Sequence, residues 1–210
     1  MNQTSGAILR SGKKKNNPPA YHHGDLRAAL LKAARKALEA GAPEKISLKA
    51  LAARLGVSQS APYRHFPTRE SLLAAVAADG FQQFQIEIRN AAQAESPEPG
   101  LEHCCLAYLN FSRQNPGLYR LMFASELLHR DDDKLLQQSA KLAFQELLEQ
   151  VQCAVPSQTP ATAAWIWMTM HGLAMIELAG LSLGPASQAL KAVDVVQEMT
   201  KRLYAGRADS

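Results

Sequence analysis

The run SLKALAARLGVSQSAPYRHF, residues 47 to 66, constrains the fold more than any other part of the chain. Ser47 is a helix-capping residue, and Leu48, Leu51, Ala52 and Leu55 follow it at the spacing of one buried helical face. Gly56 stops the run, because glycine enters a left-handed turn without strain. Ser58 supplies a second cap and predicts a third short helix from Ser58 to about His65. Two capped helices joined by a turn of about three residues fit the helix-turn-helix arrangement, and Ala52 is small enough for the close crossing it requires.

The flanking sequence supplies the remaining helices. From Asp25, a residue type suited to capping, Leu26, Leu30, Ala33 and Ala37 recur at helical spacing until Gly41 and Pro43 end the run. Thr68 opens a long fourth helix with Leu72, Leu73, Val76, Phe81 and Phe84 as its apolar positions, reaching about Ala94 before the ESPEPG break at 95 to 100. Further helices are expected at about 101–114, 117–129, 132–154, 160–182 and 186–205. No segment alternates in the manner of a strand. The expected fold class is therefore all-α, with about nine helices in a three-helix N-terminal domain, a long connecting fourth helix and a helical C-terminal domain. The boundaries are a flexible basic arm at 1–20, the helix-turn-helix domain at 21–66, the connecting helix at 67–94 and the C-terminal domain at 95–210.

Charge separates the two ends. Residues 1–80 hold 13 Lys and Arg against 5 Asp and Glu, whereas the rest holds 10 against 14. A basic end on a mildly acidic body suits phosphate neutralisation by a nucleic-acid reader, although a basic solvated face would carry the same charge. On a reading helix, Ser58 can donate to phosphate, Gln59 can pair with adenine N6 and N7, and Arg64 can reach guanine or phosphate. Ser60 and Ala61 let the backbone approach, Tyr63 and His65 present polar tips, and Phe66 turns inward as an anchor. Taken singly, Tyr63 and His65 also fit half-buried helix positions.

These residues carry a resemblance. Over residues 21 to 81, through SLKALAARLGVSQSAPYRHFPTRESLL, the chain resembles the DNA-binding domain of the TetR family of bacterial regulators. The resemblance implies Ser47, Ser58, Gln59, Ser60, Ala61, Tyr63, Arg64, His65 and Arg69 as DNA contacts, with Arg69 near a position where the family often places a lysine for phosphate. Pro62 departs from the aliphatic residue of many members and removes a backbone donor. Lys13, Lys14 and Lys15 form either a solubilising tail or a salt-sensitive arm for DNA.

The larger half is apolar in an unusual way. Residues 161 to 184 are apolar around nearly the whole circumference, but His171, Glu177 and three glycines argue against a membrane span. Such a helix can be buried twice, by its own domain and by a partner. The last helix has two apolar stripes, one of Ala189, Val193, Val196, Thr200 and Leu203 and one of Ala192, Val195 and Met199. Pairing both helices with their copies gives a homodimer through the last two helices, which resembles the usual TetR-family arrangement. Trp165 with His171 and Gly172 resembles the WHG type of regulatory region, although His171 also fits a core position and Gly172 a close helix contact. Tyr108, Phe111, Met122, Phe123, Trp167, Met168 and His171 are candidates to line a cavity for a small-molecule effector, or to be plain core.

Other chemistries find little support. Three cysteines, two of them adjacent, suit a reducing compartment, and the polar N-terminal stretch has no signal core, so the expected location is the cytoplasm. His103, Cys104 and Cys105 lack the spacing of a metal site, and no cofactor is expected. His171 and Glu177 point in different directions on a helix, and no catalytic motif accompanies them, so an enzyme is not expected. The implied function is a repressor that binds double-stranded operator DNA as a dimer and is released by an apolar or amphipathic ligand. A nucleoid or interaction protein that binds DNA without effector control is the alternative.

Overall fold

The computed structural model describes residues 26–93, 100–124, 127, 133–154, 159–181 and 191–208. The expected arm at 1–20 with its three lysines, the Asp25 cap, most of the 95–100 break, residues 128–130 and the start of the last helix with Ala189 lie outside the described residues. Eight α-helices are present among them: α1 Leu26–Glu39, α2 Leu48–Leu55, α3 Arg69–Ala92, α4 Gly100–Gln114, α5 Pro116–Phe123, α6 Lys134–Ala154, α7 Thr159–Leu178 and α8 Ala192–Ala208. No strand occurs among the described residues.

The caps anticipated around α2 and α3 are made. Ser47 Oγ accepts the Ala50 amide at 3.1 Å, and Gly56, at φ +69°, returns its own amide to the Ala52 and Ala53 carbonyls. Thr68 Oγ1 accepts the Ser71 amide at 3.0 Å while Ser71 Oγ accepts the Thr68 amide at 3.1 Å, so two otherwise orphaned donors are satisfied reciprocally.

Three expectations need correction. The segment from Ser58 to His65 is not an α-helix: Ala61–Arg64 forms a single 3-10 turn. Pro62 has no amide to donate to the Ser58 carbonyl, and Ala61, Tyr63 and His65 each bond three residues back, to Ser58, Ser60 and Pro62. Ser58 is therefore no α-helix cap, and the described residues hold eight α-helices where about nine were expected. The helix expected at 117–129, α5, stops at Phe123. The α7 helix ends at Leu178, short of 182, because Gly180 at φ +67° closes it, with Gly180 donating to Glu177 and Leu181 to Ile176 at 3.0 Å each.

The spine of the molecule is α3, which packs on α1 in the N-terminal head and on α4, α5 and α6 in the body. Its residues Leu72, Val76, Phe81 and Phe84 are buried along this length. Gly80 brings α5 close, since a Cβ there would lie 2.7 Å from Met122 Sδ. The α7 helix lies against α4 and α6, and α8 against α4. None of the described helices is long and apolar enough to cross a membrane.

Candidate nucleic-acid interface and regulatory core

The exposed edge of the head is built from the turn outward. Phe66 is 3% exposed and plugs the head core beside Leu30, Leu51 and Leu72, while the Arg27 guanidinium lies 5.4 Å from its ring centroid. Burying Pro62 as well fixes both ends of the short turn, so the intervening side chains face solvent. Gln59 and Ser60 before Pro62, and Tyr63, Arg64 and His65 after it, are exposed, with Ala61 half-buried. The Ser58 and Ser60 hydroxyls lie 3.4 Å apart, and Ser47 is exposed at the head of α2. Exposed Lys45, Lys49 and Arg54 on the same small domain keep this edge electropositive.

Arg69, expected as a phosphate contact, is engaged within the head. Its Nε donates to the Ile46 carbonyl at 2.7 Å and its Nη2 to the Pro43 carbonyl at 3.2 Å. The guanidinium thus ties the start of α3 to the Pro43–Lys45 3-10 turn that precedes α2.

Within the body, the candidate cavity residues divide. Phe84 is the hub of an aromatic cluster, with ring centroids of Tyr108, Phe111, Phe123 and Trp167 between 4.9 and 6.4 Å away in edge-on contacts. Met122 is fully buried beside them. A polar chain threads the cluster: the Tyr108 and Tyr119 hydroxyls are 2.9 Å apart, and Tyr119 Oη lies 2.9 Å from His171 Nδ1. Burial pushes both tyrosine hydroxyls up and lowers His171, which favours the neutral form of each. Met168 stands apart from the rest, 64% exposed on the outer side of α7.

Tyr119 is the member that sequence reasoning missed, along with Phe144, whose ring is 5.3 Å from Trp167. The helical spacing of Tyr119 with Met122 and Phe123 was the available signal. Trp165, chosen for the WHG resemblance, is 44% exposed, and it is Trp167 that joins the cluster. A Cβ on Gly172 would meet nothing within 4 Å, so no close helix contact inside the chain requires that glycine.

No set of three or more His, Cys, Asp or Glu among the described residues could hold a metal ion. Cys104 and Cys105 are buried, and desolvation raises both thiols, that of Cys104 to about 12. Burial thus favours the protonated thiol, which is not the nucleophilic form, in both. Glu177 forms a two-pronged ion pair with Arg113, at 2.7 and 2.9 Å, rather than approaching His171.

A capped helix-turn-helix head on a larger helical body defines a two-domain DNA-binding regulator. Residues 30–76 match the family described as bacterial regulatory proteins, tetR family, and residues 101–202 match the tetracyclin repressor-like C-terminal domain. The two matches together take in most of the sequence, and the chain belongs to the TetR family of DNA-binding transcriptional regulators, which are not enzymes. It is similar to the nucleoid occlusion factor SlmA of Marinomonas sp. (strain MWYL1), with 33% identity over 49% of this chain and 53% of that one. The match thus spans about half the length of that relative. A protein of unknown function from Rhodococcus sp. RHA1 has a similar structure, with a TM-score of 0.76 and 25% identity over 90% of this chain and 98% of that one. The TetR family transcriptional regulator PfmR from Thermus thermophilus shares the fold, with a TM-score of 0.57 and 14% identity over 84% and 97% of the two chains.

Proposed function

We propose that this regulator is a repressor that binds a palindromic operator as a homodimer and lets go when a small apolar or amphipathic molecule enters the body. The observation that carries the reading is the pair of exposed segments, Gln59 with Ser60 and Tyr63 to His65, on either side of buried Pro62 and held by buried Phe66. Short polar and basic side chains on a rigid, electropositive edge suit groove readout.

Dimerisation is supported by α7. Ala161, Trp165, Met168, Gly172 and Ala179 follow one another at three- and four-residue helical steps or their sum, and all but half-buried Gly172 are exposed in the single chain. The open space at Gly172 suits the close approach of a second helix. On α8, Ala192, Val196, Met199 and Thr200 are turned inward, so members of both stripes read from the sequence form one buried face, with Val193, Val195 and Leu203 half-buried beside it. A two-fold dimer would set its reading edges on half-sites about 34 to 36 Å apart or a multiple of this.

Effector control is supported by the Tyr108–Tyr119–His171 relay, a set of hydrogen-bonding tips inside an otherwise apolar cluster, which suits a ligand with one polar group on an apolar frame. Reversing a 99:1 preference between bound and released states requires about 5.5 kcal/mol of differential ligand binding. The test is selection of bound duplexes from a random pool, followed by mobility shifts at physiological salt. Recovery of no sequence bound better than random DNA removes the reading.

One observation favours a second reading. The similarity to a protein named a nucleoid occlusion factor supports the alternative of a nucleoid or interaction protein that binds DNA without effector control. A thermal-shift screen with metabolites separates the two, since only the repressor reading expects a ligand that stabilises the chain and weakens its operator complex.

A further inference from the structure

The first amides of any α-helix lack acceptors within the helix. At the start of α5 the preceding residue does not supply one: Asn115 makes no capping bond, its Nδ2 donating to the Phe111 carbonyl at 3.1 Å and its Oδ1 accepting from Arg35 Nη2 at 2.7 Å. The acceptor comes from the head instead. Glu39, in the last turn of α1, accepts the Gly117 amide on Oε2 at 3.1 Å and the Leu118 amide on Oε1 at 3.0 Å. A carboxylate in this place also meets the positive end of the helix. Gly117 makes the approach feasible, because a Cβ there would collide with the Leu38 carbonyl. Arg35 and Glu39 stand one turn apart on α1, so both grip the same end of α5.

The opposite side of α5 faces the interior. Leu118, Tyr119 and Met122 are fully buried, and Tyr119 is the middle member of the relay to His171. A single two-turn helix therefore touches the head by its amides and the aromatic cluster by its side chains.

We propose that Glu39 is a positioning residue for DNA recognition: by capping α5 from the head, its carboxylate makes head orientation and the order of the α5 start one equilibrium. The inference rests on the head being a DNA reader and gives the release step of the proposed function its mechanical link. Coupling of this kind is reciprocal, so DNA that fixes the heads must tighten the α5 start, just as a disturbed α5 must loosen the heads.

The experiment follows amide hydrogen exchange at Gly117 and Leu118 in the full chain, alone and with the operator duplex recovered by selection. In the free protein, Glu39→Ala is expected to speed exchange at these amides roughly 10- to 100-fold, as suits loss of charge-assisted cap bonds. Glu39→Gln, which keeps one neutral acceptor, should fall between, and it carries the same test if the alanine variant fails to fold. Operator is expected to slow exchange at Leu118 by about fivefold or more in the wild type and not in Glu39→Ala. A purely structural role would lower the melting temperature yet leave that operator-linked slowing in place, and this result overturns the proposal. So does unchanged exchange in the free alanine variant. If selection recovers no operator, the DNA reading itself has failed, which the free-protein arm keeps distinct from failure of the cap.

Discussion

Replacing Arg69 by alanine separates two physical accounts of one cation. If it holds phosphate, its loss weakens all DNA binding, reduces the slope of log affinity against log salt by about one per contact and leaves the free protein unchanged. The structure instead commits it to the Ile46 and Pro43 carbonyls, at 2.7 and 3.2 Å. A hydrogen bond from a charged donor contributes about 1.5–3 kcal/mol, but the bond to Pro43 is exposed and adds little. A loss of about 2 kcal/mol is expected, which for a chain of this size lowers the melting temperature by about 4–8 °C. Scanning calorimetry of wild type, Arg69→Ala and Arg69→Lys gives the stability, and fluorescence titrations of labelled duplex at several salt concentrations give the slope. Operator affinity should fall for the alanine variant because the α2 entry loosens, with an unchanged slope. An unaltered melting temperature together with a slope reduced by about one per subunit would refute the clamp.

Gln59→Ala should weaken specific binding by about 1–3 kcal/mol without changing the melting temperature, as read by competition with random duplex. Met168→Glu, which puts a charge in the exposed α7 stripe, should shift sedimentation from dimer to monomer while helical circular dichroism is retained. His171 gives a pH dependence: burial holds it below its ordinary value of 6.5, so as pH falls through that value the unfolded chain takes up a proton first. Stability should therefore be undiminished by this group above about pH 6.5 and decline below it, and melting curves of His171→Gln should show a shallower acid decline than wild type. Phe66→Ala should cost about 3–5 kcal/mol and abolish operator binding, measured by urea unfolding alongside mobility shifts.

The features legible in the sequence were those decided within a few residues. Ser47, Gly56 and Thr68 act through neighbours three or four positions away, so their caps could be read directly, whereas the expected three-residue turn after α2 is five residues long, 56 to 60. Pro62 is legible as a missing donor, but the extent of its effect is not: with one amide removed from so short a segment, the turn tightens to 3-10. The distant partnerships stayed hidden. Glu39 meets Gly117 across 78 positions, and Arg69 meets Ile46 across 23, distances over which no periodicity speaks. Trp165 and Trp167 are two residues apart on α7, about 200° around the helix, and sequence alone gave no means of deciding which one faces the aromatic cluster.

Because α3 serves as wall to the head through Leu72 and Val76 and as centre of the body through Phe81 and Phe84, neither half owns it. A head excised after residue 66 would leave Leu30 and Phe66 facing water, and a body trimmed to the same point would keep a helix with a bare apolar beginning. Any graft of this reader onto a foreign effector module must therefore carry the first turns of α3 with it, and the seam for such chimeras lies inside a continuous rod rather than at a loop.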